Sequence, residues 1–353
     1  MKLVFVTRKM DRNDPATSFI FSWIEKLASQ VQTLYVVCQE KGETSALPGN
    51  VEVHSFGKDK GYGKVRQAYS LWLLAFRMAG KADGFFIHMH PIYAIMVWPV
   101  TILRGQKFVL WYTHKAVDLK LRAAVSLVDR VLTASPESFR LKSSKVKVIG
   151  HGIDLDKFKP MGGRNTDDKF RIVSIGRISP VKDYETLIKA VEILVNHKQI
   201  KDLKLEIYGD IVLPQHQAYL DSLVKFVENA DLDDVIDFQA GVSHDHVPAL
   251  INESDLFVNM SMTGSLDKAV LEAAACAKPV LTSNEAFEKP LNDISGDLFF
   301  ERDNPKDLAE KILRMKNAAP GFRAELGQRL RSWVEKEHNL ENLVKKIVGE
   351  FQK

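Results

Sequence analysis

The stretch Thr263-Gly-Ser-Leu-Asp-Lys-Ala-Val-Leu-Glu-Ala-Ala-Ala-Cys-Ala-Lys-Pro-Val280 contains the strongest structural signal in the chain. After a short polar turn, the residues from about Asp267 to Ala277 predict a helix that is apolar almost all round. Because a helix without a polar stripe is normally buried, Glu272 is expected to lie in a largely apolar environment. An unpaired buried carboxylate is costly, so such a residue usually has a partner or a function.

Short apolar segments on both sides of this helix predict buried strands, Leu256–Asn259 before it and Pro279–Thr282 after it. Together they form the order strand, polar turn, carboxylate-bearing helix, strand. An α/β protein uses this order to present the ribose of a nucleotide at the N-terminus of a helix.

Strands and helices alternate along the rest of the chain, which predicts parallel sheets with helices on both faces. The other predicted strands are Lys2–Thr7, Thr33–Cys38, Val51–Phe56, Gly84–His90, Phe108–His114, Arg130–Ala134, Val146–Gly150, Phe170–Gly176, Lys204–Tyr208 and Val235–Phe238. The closing segment Arg323–Phe351 is predicted to be helical. Lys157–Lys169, with its proline, glycines and charges, is the best linker candidate. The pattern therefore predicts two doubly wound, Rossmann-like domains facing each other across a cleft, at 1–160 and 161–330.

Bulk properties favour an intracellular enzyme with two cores, for which 353 residues suffice. The two cysteines, Cys38 and Cys276, lie in apolar surroundings and are expected to be core thiols in the reducing cytoplasm. The apolar stretch at the N-terminus is too short for a signal peptide. The longest apolar run, Pro91–Leu103, is shorter than the roughly 20 residues of a bilayer span.

Charge is distributed unevenly between the two halves of the chain. Residues 1–160 carry 24 Lys and Arg against 13 Asp and Glu, whereas the remaining residues carry 25 against 32. This asymmetry indicates that the first half meets something anionic, or that it has a solvated basic face. Lys58–Arg77 mixes cations with aromatic residues at helical spacing, so it is a candidate for contact with an anionic membrane. A helix packed on the core is the alternative.

The stretch at 263–280 resembles the nucleotide-sugar motif of the retaining GT-B glycosyltransferases of family 4, the group 1 glycosyltransferases. In that motif a first Glu, seven residues and a second Glu lead into an Ala-rich helix that ends near Lys-Pro-Val. Glu272 matches the second Glu, but Gly264 occupies the place of the first. A second block, Ile175–Ile188, resembles the Gly-Arg…Lys segment of the same family, and the order and separation of the blocks also match.

The resemblance implies a GT-B fold and a donor site in the second domain, and in that fold a terminal helix, here 331–353, packs back on the first domain. It implies that Gly176, Arg177 and Lys182 hold the donor diphosphate and that Glu272 accepts both ribose hydroxyls. The turn residues Gly264, Ser265, Leu266, Asp267 and Lys268 would face the donor, and His114, Arg177 and Lys182 would be catalytic.

Each assignment has a structural alternative. Arg177 opens a loop at the carboxyl end of a strand, where ligands bind in α/β sheets, but Arg177 and Lys182 are also consistent with two surface cations. Glu272 is alternatively half of a buried ion pair, and Ser265 or Asp267 is alternatively a helix cap. His114 is alternatively a structural loop histidine.

The segment after the first strand, Thr7–Phe19, is polar, charged and free of glycine, unlike the Gly-rich loop of most relatives. It is predicted to shape the acceptor side or else to be a solvated loop. The acceptor-side candidates are Arg8, Asp11, Arg12, Asn13 and Asp14. His88 and His90 form a His-x-His pair, but no further ligands complete a tetrahedral set, so no metal site is expected.

The predicted function is a retaining, metal-independent transfer of sugar from a nucleotide-diphosphate sugar to a hydroxyl acceptor. The expected acceptor is a glycan or a lipid-linked precursor of cell-surface polysaccharide. No cofactor besides the sugar nucleotide and no nucleic-acid partner is expected. The missing carboxylate at Gly264 leaves open a catalytically silent binding module. A sugar-nucleotide epimerase on the same scaffold is a further alternative.

Overall fold

The computed structural model describes residues 1–14, 17–162 and 169–352. They form two compact units, the first made of Met1–Asp154 with His338–Lys353 and the second of Leu155–Glu337. The chain therefore passes into the second unit after Asp154 and back into the first after Glu337, whereas the sequence predicted boundaries at residues 160 and 330. Residues 163–168 of the predicted linker, Lys157–Lys169, lie outside the described residues.

In its described residues, unit 1 contains a parallel sheet of seven strands. The strands are β1 (Lys2–Met10), β2 (Thr33–Lys41), β3 (Val51–Ser55), β4 (Gly84–His88), β5 (Lys107–Trp111), β6 (Arg130–Thr133) and β7 (Val146–Val148). The helices between them are α1 (Ile20–Ala28), α2 (Lys64–Ala79), α3 (Pro91–Leu103) and α4 (Leu119–Leu127). The central strands are buried along nearly their whole length because helices cover both faces of the sheet.

The strand order of unit 1 is β3-β2-β1-β4-β5-β6-β7. From β1 the chain continues to one side as far as β3 and then crosses over to β4 on the other side of β1. In an open α/β sheet, ligands bind at the carboxyl ends of the strands where the order reverses in this way. The segments that follow β1 and β4 are therefore the candidate binding elements of unit 1.

The described part of unit 2 contains a parallel sheet of five strands in the order β10-β9-β8-β11-β12. They are β8 (Phe170–Ile175), β9 (Leu203–Tyr208), β10 (Ile236–Gln239), β11 (Leu256–Asn259) and β12 (Val280–Thr282). The helices are α5 (Tyr184–Glu192, continued by a π-helical turn at Ile193–His197), α6 (Gln217–Asn229), α7 (Val247–Glu253), α8 (Lys268–Ala275), α9 (Glu288–Ile294), α10 (Pro305–Asn317) and α11 (Pro320–Glu337). The order reverses between β8 and β11.

The last helix, α12 (Leu340–Phe351), belongs to unit 1, whereas α11 belongs to unit 2. The prediction of one helical segment over Arg323–Phe351 is therefore wrong at His338 and Asn339, where the helix breaks. Asn339 caps α12, because its side chain accepts the backbone N–H groups of Glu341 at 2.7 Å and Asn342 at 3.3 Å. The break is also held by Ile153, which exchanges backbone hydrogen bonds with His338 and Leu340.

The predicted α/β class with parallel sheets is confirmed, and every predicted strand is present, with ends that differ by a few residues. The largest differences are three residues each: β1 continues beyond Thr7 to Met10, β2 continues beyond Cys38 to Lys41, and β5 ends at Trp111 instead of His114. Among the described residues, no helix combines the length and the apolar character needed to cross a bilayer.

Candidate functional site

The candidate site lies at the carboxyl edge of the unit 2 sheet, where the strand order reverses between β8 and β11. Two loops leave the sheet there, Gly176–Asp183 after β8 and Met260–Asp267 after β11. A backbone hydrogen bond of 2.9 Å from the Met262 N–H to the Val181 carbonyl joins them. Both sequence blocks that carry the family resemblance are therefore brought to one position.

The loop after β8 is fixed by close contacts at its first residue. The Tyr184 hydroxyl donates to the Gly176 carbonyl at 3.0 Å. A Cβ atom at Gly209, which follows the neighbouring strand β9, would lie only 1.9 Å from that carbonyl oxygen, so this position accepts only glycine. The loop then presents Arg177 as an exposed side chain, whereas Lys182 is buried with 9% of its surface exposed.

Lys182 forms a buried ion pair with Asp267, which precedes α8. Asp267 also accepts a hydrogen bond from the Asn259 side-chain amide at 3.3 Å and from the Ala269 backbone N–H at 3.3 Å. Burial by itself opposes ionisation of Asp267, but the charge of Lys182 and these hydrogen bonds outweigh it and lower the pKa of the carboxyl group. Asp267 is therefore an ionised helix cap, as one reading of the sequence predicted, and a counter-charge for Lys182.

Glu272 lies on α8 and is 5% exposed, so the predicted burial of this carboxylate is confirmed. Its Oε1 atom lies 2.8 Å from Nε2 of His244 and 3.3 Å from Nζ of Lys268, one helical turn earlier. Burial alone raises the pKa of Glu272, but the Lys268 charge and the His244 hydrogen bond reverse the effect and lower it. The result is an ionised carboxylate in the middle of a buried helix, one turn after its start, with its charge balanced by Lys268.

His244 links Glu272 to the segment that enters unit 2. Burial lowers the pKa of His244 even though Glu272 opposes this, so the ring is neutral at physiological pH. Lys157 Nζ lies 2.9 Å from Nδ1. Since an ammonium group can only donate, Nδ1 accepts, and the ring proton sits on Nε2 and is donated to Glu272. Phe158 packs beside the ring with a centroid distance of 5.2 Å. Lys157, His244 and Glu272 therefore form a relay that fixes the position of the carboxylate.

The turn before α8 departs from the family's sequence pattern at Gly264, and its backbone there suits glycine. Gly264 has a φ of 62°, in the left-handed region that is unfavourable for other residues. The next residue, Ser265, is buried, and its carbonyl accepts the Asn284 side-chain amide at 2.9 Å. Leu266 is also buried. A glutamate at position 264 in this conformation would be strained.

In unit 1, the first residues of the predicted loop after β1 belong to the strand itself. Arg8, Lys9 and Met10 continue the strand, and Lys9 contacts Asp14 at 2.7 Å, Asp11 at 3.3 Å and Glu40 at 3.4 Å. Burial alone would lower the pKa of Lys9, but these carboxylates raise it. Two of the acceptor-side candidates, Asp11 and Asp14, are therefore committed to a structural cluster around Lys9.

The other acceptor-side candidates, Arg8, Arg12 and Asn13, have exposed side chains. His114 is also exposed and follows β5, where its Nδ1 accepts the Ala116 N–H at 3.1 Å. The structure thus gives Nδ1 of His114 a local structural bond within its loop.

Some residues of these clusters were not predicted from the sequence. His244, Asn259 and Lys9 contact predicted site residues, and Lys157 contacts His244. The run Ser243-His-Asp-His246 follows the carboxyl end of β10, which is the one signal that points to His244. In the described part of the chain, no group of three or more His, Cys, Asp or Glu side chains is placed to hold a metal ion.

Solved structures with the same fold cover the whole chain. Sucrose-phosphate synthase from Thermosynechococcus elongatus superimposes with a TM-score of 0.78 at 16% identity and covers 100% of this chain and 98% of its own. Anabaena HepE in complex with UDP gives 0.78 at 15% identity and covers 100% of both chains. These likenesses show the GT-B fold predicted from the sequence.

Two relatives with known activities match a large part of the chain. A D-inositol 3-phosphate glycosyltransferase of Paenarthrobacter aurescens is 27% identical over 176 residues, which are 48% of this chain and 42% of the relative. Mannosylfructose-phosphate synthase of Agrobacterium fabrum is 24% identical over 222 residues, which are 56% and 48% of the two chains. The chain thus spans less than half the length of each of these two relatives.

The profile of the family described as Glycosyl transferases group 1 matches residues 156–333, just over half of the 353 residues and nearly all of unit 2. This match contains the β8 loop, the β11 loop, His244 and Glu272. The chain belongs to the glycosyl transferases group 1 family.

Proposed function

We propose that the protein is a retaining, metal-independent glycosyltransferase that uses a nucleotide-diphosphate sugar. The observation that carries this proposal is the ionised, buried Glu272 in the middle of α8, held by His244 and Lys268 beside the strand-order reversal of unit 2. A carboxylate fixed in this way accepts two neighbouring hydroxyl groups, as a ribose would present them. Both protein contacts reach Oε1, so we assign Oε2 to the ribose.

Lys182 and Arg177 supply the charge for the donor diphosphate in this proposal. Lys182 is balanced by Asp267 in the absence of donor, and Arg177 is exposed at the end of β8. The negative charge of the leaving diphosphate grows towards the transition state, so positioned cations stabilise the transition state more than the bound donor. HepE, which shares the fold, has been crystallised with UDP-glucose. A UDP-sugar is therefore the first donor to test.

The acceptor side is assigned to unit 1. His114 would contact the reacting sugar, and the exposed Arg8, Arg12 and Asn13 would contact a glycan or a lipid-linked acceptor of cell-surface polysaccharide synthesis. We propose that the protein acts in the cytoplasm, at the inner face of the cell membrane. The two free cysteines are buried, and burial raises the pKa of each thiol to about 12, which suits inert core residues of a reducing compartment.

Glu272→Gln tests the ribose assignment because it keeps the shape of the side chain and removes the charge. We expect nucleoside diphosphate binding, measured by calorimetry, to weaken by at least about tenfold, since hydrogen bonds to a charged group are worth roughly 1.5–3 kcal/mol. Glu228→Gln on the exposed face of α6 is the control. Unchanged affinity in Glu272→Gln would remove the main support for the proposal.

Turnover measurements separate this function from its alternatives. Arg177→Ala should lower kcat by about 10²–10³ while the affinity for the nucleoside is nearly retained. His114→Ala should lower turnover with unchanged nucleotide affinity. Binding of the sugar nucleotide by the wild type without release of free nucleotide in the presence of any acceptor would indicate a silent module. Interconversion of the sugar on an intact nucleotide would indicate an epimerase.

A further inference from the structure

Helix α2 of unit 1 has an apolar stripe that faces solvent. Five large side chains at positions i, i+4, i+7, i+8 and i+11 form it, and they are exposed by 39% to 86% of their surface. This α2 stripe consists of Val65, Tyr69, Trp72, Leu73 and Phe76. The spacing places all five on one side of the helix, and the Trp72 and Phe76 rings stack with centroids 5.8 Å apart. Such a continuous exposed stripe marks an interaction surface.

The packing of α2 on its own unit does not need the α2 stripe. The opposite side of the helix contributes Leu71, Ala75 and Met78 to the core of unit 1, where each is at most 1% exposed. The helix therefore has two apolar faces, one used for folding and one exposed. The predicted alternative, a helix packed on the core, accounts for the first face only.

The exposed apolar surface continues onto the end of α3. Ile102 and Leu103 are exposed by 60% and 75%. The Arg104 guanidinium lies 5.4 Å from the centre of the Phe76 ring, which places the end of α3 beside the α2 stripe.

The cations on α2 are not accompanied by acids on the same helix. Helix α2 contains no Asp or Glu, and its Lys64, Arg66 and Arg77 are exposed, as is Arg104 at the end of α3. The Arg66 guanidinium lies 3.7 Å from the centre of the Tyr62 ring.

We infer that the α2 stripe, with the end of α3, inserts into the headgroup region of an anionic lipid leaflet. Apolar and aromatic side chains flanked by Lys and Arg are the composition that lies in the plane of a membrane interface. The occupant is a lipid surface and not a second copy of the chain, because two copies would bring the same excess of cations face to face. An anionic leaflet instead attracts each cation within about one Debye length.

This inference rests on the membrane contact of the proposed function but not on sugar transfer, since vesicle binding needs no donor. The probe is sedimentation of the full chain with phosphatidylcholine vesicles, with and without phosphatidylserine. We expect binding to the vesicles that contain phosphatidylserine and a decrease with added salt. Vesicle binding without turnover would refute the proposed function alone, whereas turnover without vesicle binding would refute this inference alone.

Phe76→Ser and Phe322→Ser are a matched pair, because Phe76 on the α2 stripe is 45% exposed and Phe322 on α11 is 46% exposed. We expect the vesicle affinity to fall about tenfold or more in Phe76→Ser, because the variant loses the apolar surface that this aromatic ring would bury in the leaflet. It should be unchanged in Phe322→Ser. Equal effects in the two variants would overturn the inference.

Charge reversal gives an independent test. Arg66→Glu should weaken binding to the phosphatidylserine vesicles, whereas Lys225→Glu on the exposed surface of α6 should not. Insertion should also shift the fluorescence of Trp72 to shorter wavelength, as judged by the difference between the wild type and Trp72→Phe. The oligomeric state is measured separately, by sedimentation velocity without vesicles. A dimer in the wild type and a monomer in Phe76→Ser, with no vesicle binding by either, would overturn the inference and show that a second copy of the chain covers the α2 stripe.

Discussion

Removing one member of the Lys182–Asp267 pair should destabilise unit 2 strongly. Each side chain is only 11% exposed, so Lys182→Met leaves the Asp267 charge buried with only neutral donors around it. At an effective dielectric constant of about 20, two charges in contact attract by about 4 kcal/mol. Breaking a buried pair from one side typically costs about 3–5 kcal/mol. Domains are stable by only about 5–15 kcal/mol, so this is a large fraction of the total.

The assay is a double-mutant cycle with Lys182→Met, Asp267→Asn and the double variant, followed by calorimetric unfolding of the full chain. We expect each single variant to lower the melting temperature of unit 2 by on the order of 10 °C, given about 2–4 °C per kcal/mol for a domain of this size. The double variant should be more stable than the sum of the single effects, because neither buried charge is left alone. Additive effects would mean that the two residues are not coupled, and the reasoning would fail.

The same double-mutant cycle separates a catalytic role of Lys182 from a structural one when kcat is measured for its variants. A low kcat in Lys182→Met alone would mix lost stability with lost transition-state charge. If the double variant is stable and binds nucleotide but remains inactive, the ammonium group itself is needed for transfer. If the double variant regains turnover, Lys182 has only a structural role, and the leaving-group charge would be carried by Arg177.

Three further predictions concern stability. The pKa of Glu272 is lower in the folded than in the unfolded protein, so its contribution to stability is complete above the unfolded pKa of about 4.3 and is lost as the pH falls through the folded pKa. The melting temperature of Glu272→Gln should therefore depend less on pH than that of the wild type between about pH 5 and pH 3. Lys9→Met should cost about 1–3 kcal/mol in denaturant unfolding, because Lys9 is 18% exposed among carboxylates, whereas Lys58→Met, with 54% exposure, should cost less than about 1 kcal/mol. Gly264→Ala should cost about 1–2 kcal/mol, because its φ is positive, and Gly296→Ala, which meets no atom within 4 Å, is the control.

Most of the fold was predictable because buried parallel strands appear as short apolar runs between helices. The ends of the strands were less predictable, because they depend on the neighbouring strands with which they pair. β1 continues through the charged residues Arg8 and Lys9 because Lys9 and Met10 pair with Glu40 and Lys41 of β2. No local pattern at Arg8 indicates this partner, which lies some thirty residues later in the chain.

The candidate site was predictable only where its residues belong to a local block. Glu272 was predicted because it is a carboxylate in an apolar helix, and Lys182 because it lies in the loop after a predicted strand. The pairing of these residues was not predicted, because His244 lies 28 residues from Glu272 and Asp267 lies 85 residues from Lys182 along the chain. The sequence does not show which residues pair over such distances. The order reversal between β8 and β11 brings Lys182 to Asp267, and the segment after β10 brings His244 to Glu272.

The charges of the candidate site suggest why a carboxylate at position 264 is dispensable. The buried centre already contains two ionised carboxylates, Asp267 and Glu272, against the cations Lys182 and Lys268. A third carboxylate at 264, in a turn adjacent to Asp267, would add uncompensated negative charge to a region of low dielectric constant. The left-handed backbone at Gly264 also disfavours any residue other than glycine. If a donor-sugar hydroxyl is recognised at this point, Asp267 is the carboxylate in place to accept it. The Asp267 carboxylate would become available when the donor diphosphate competes with it for Lys182. Donor binding itself would then release the group that binds the sugar hydroxyl.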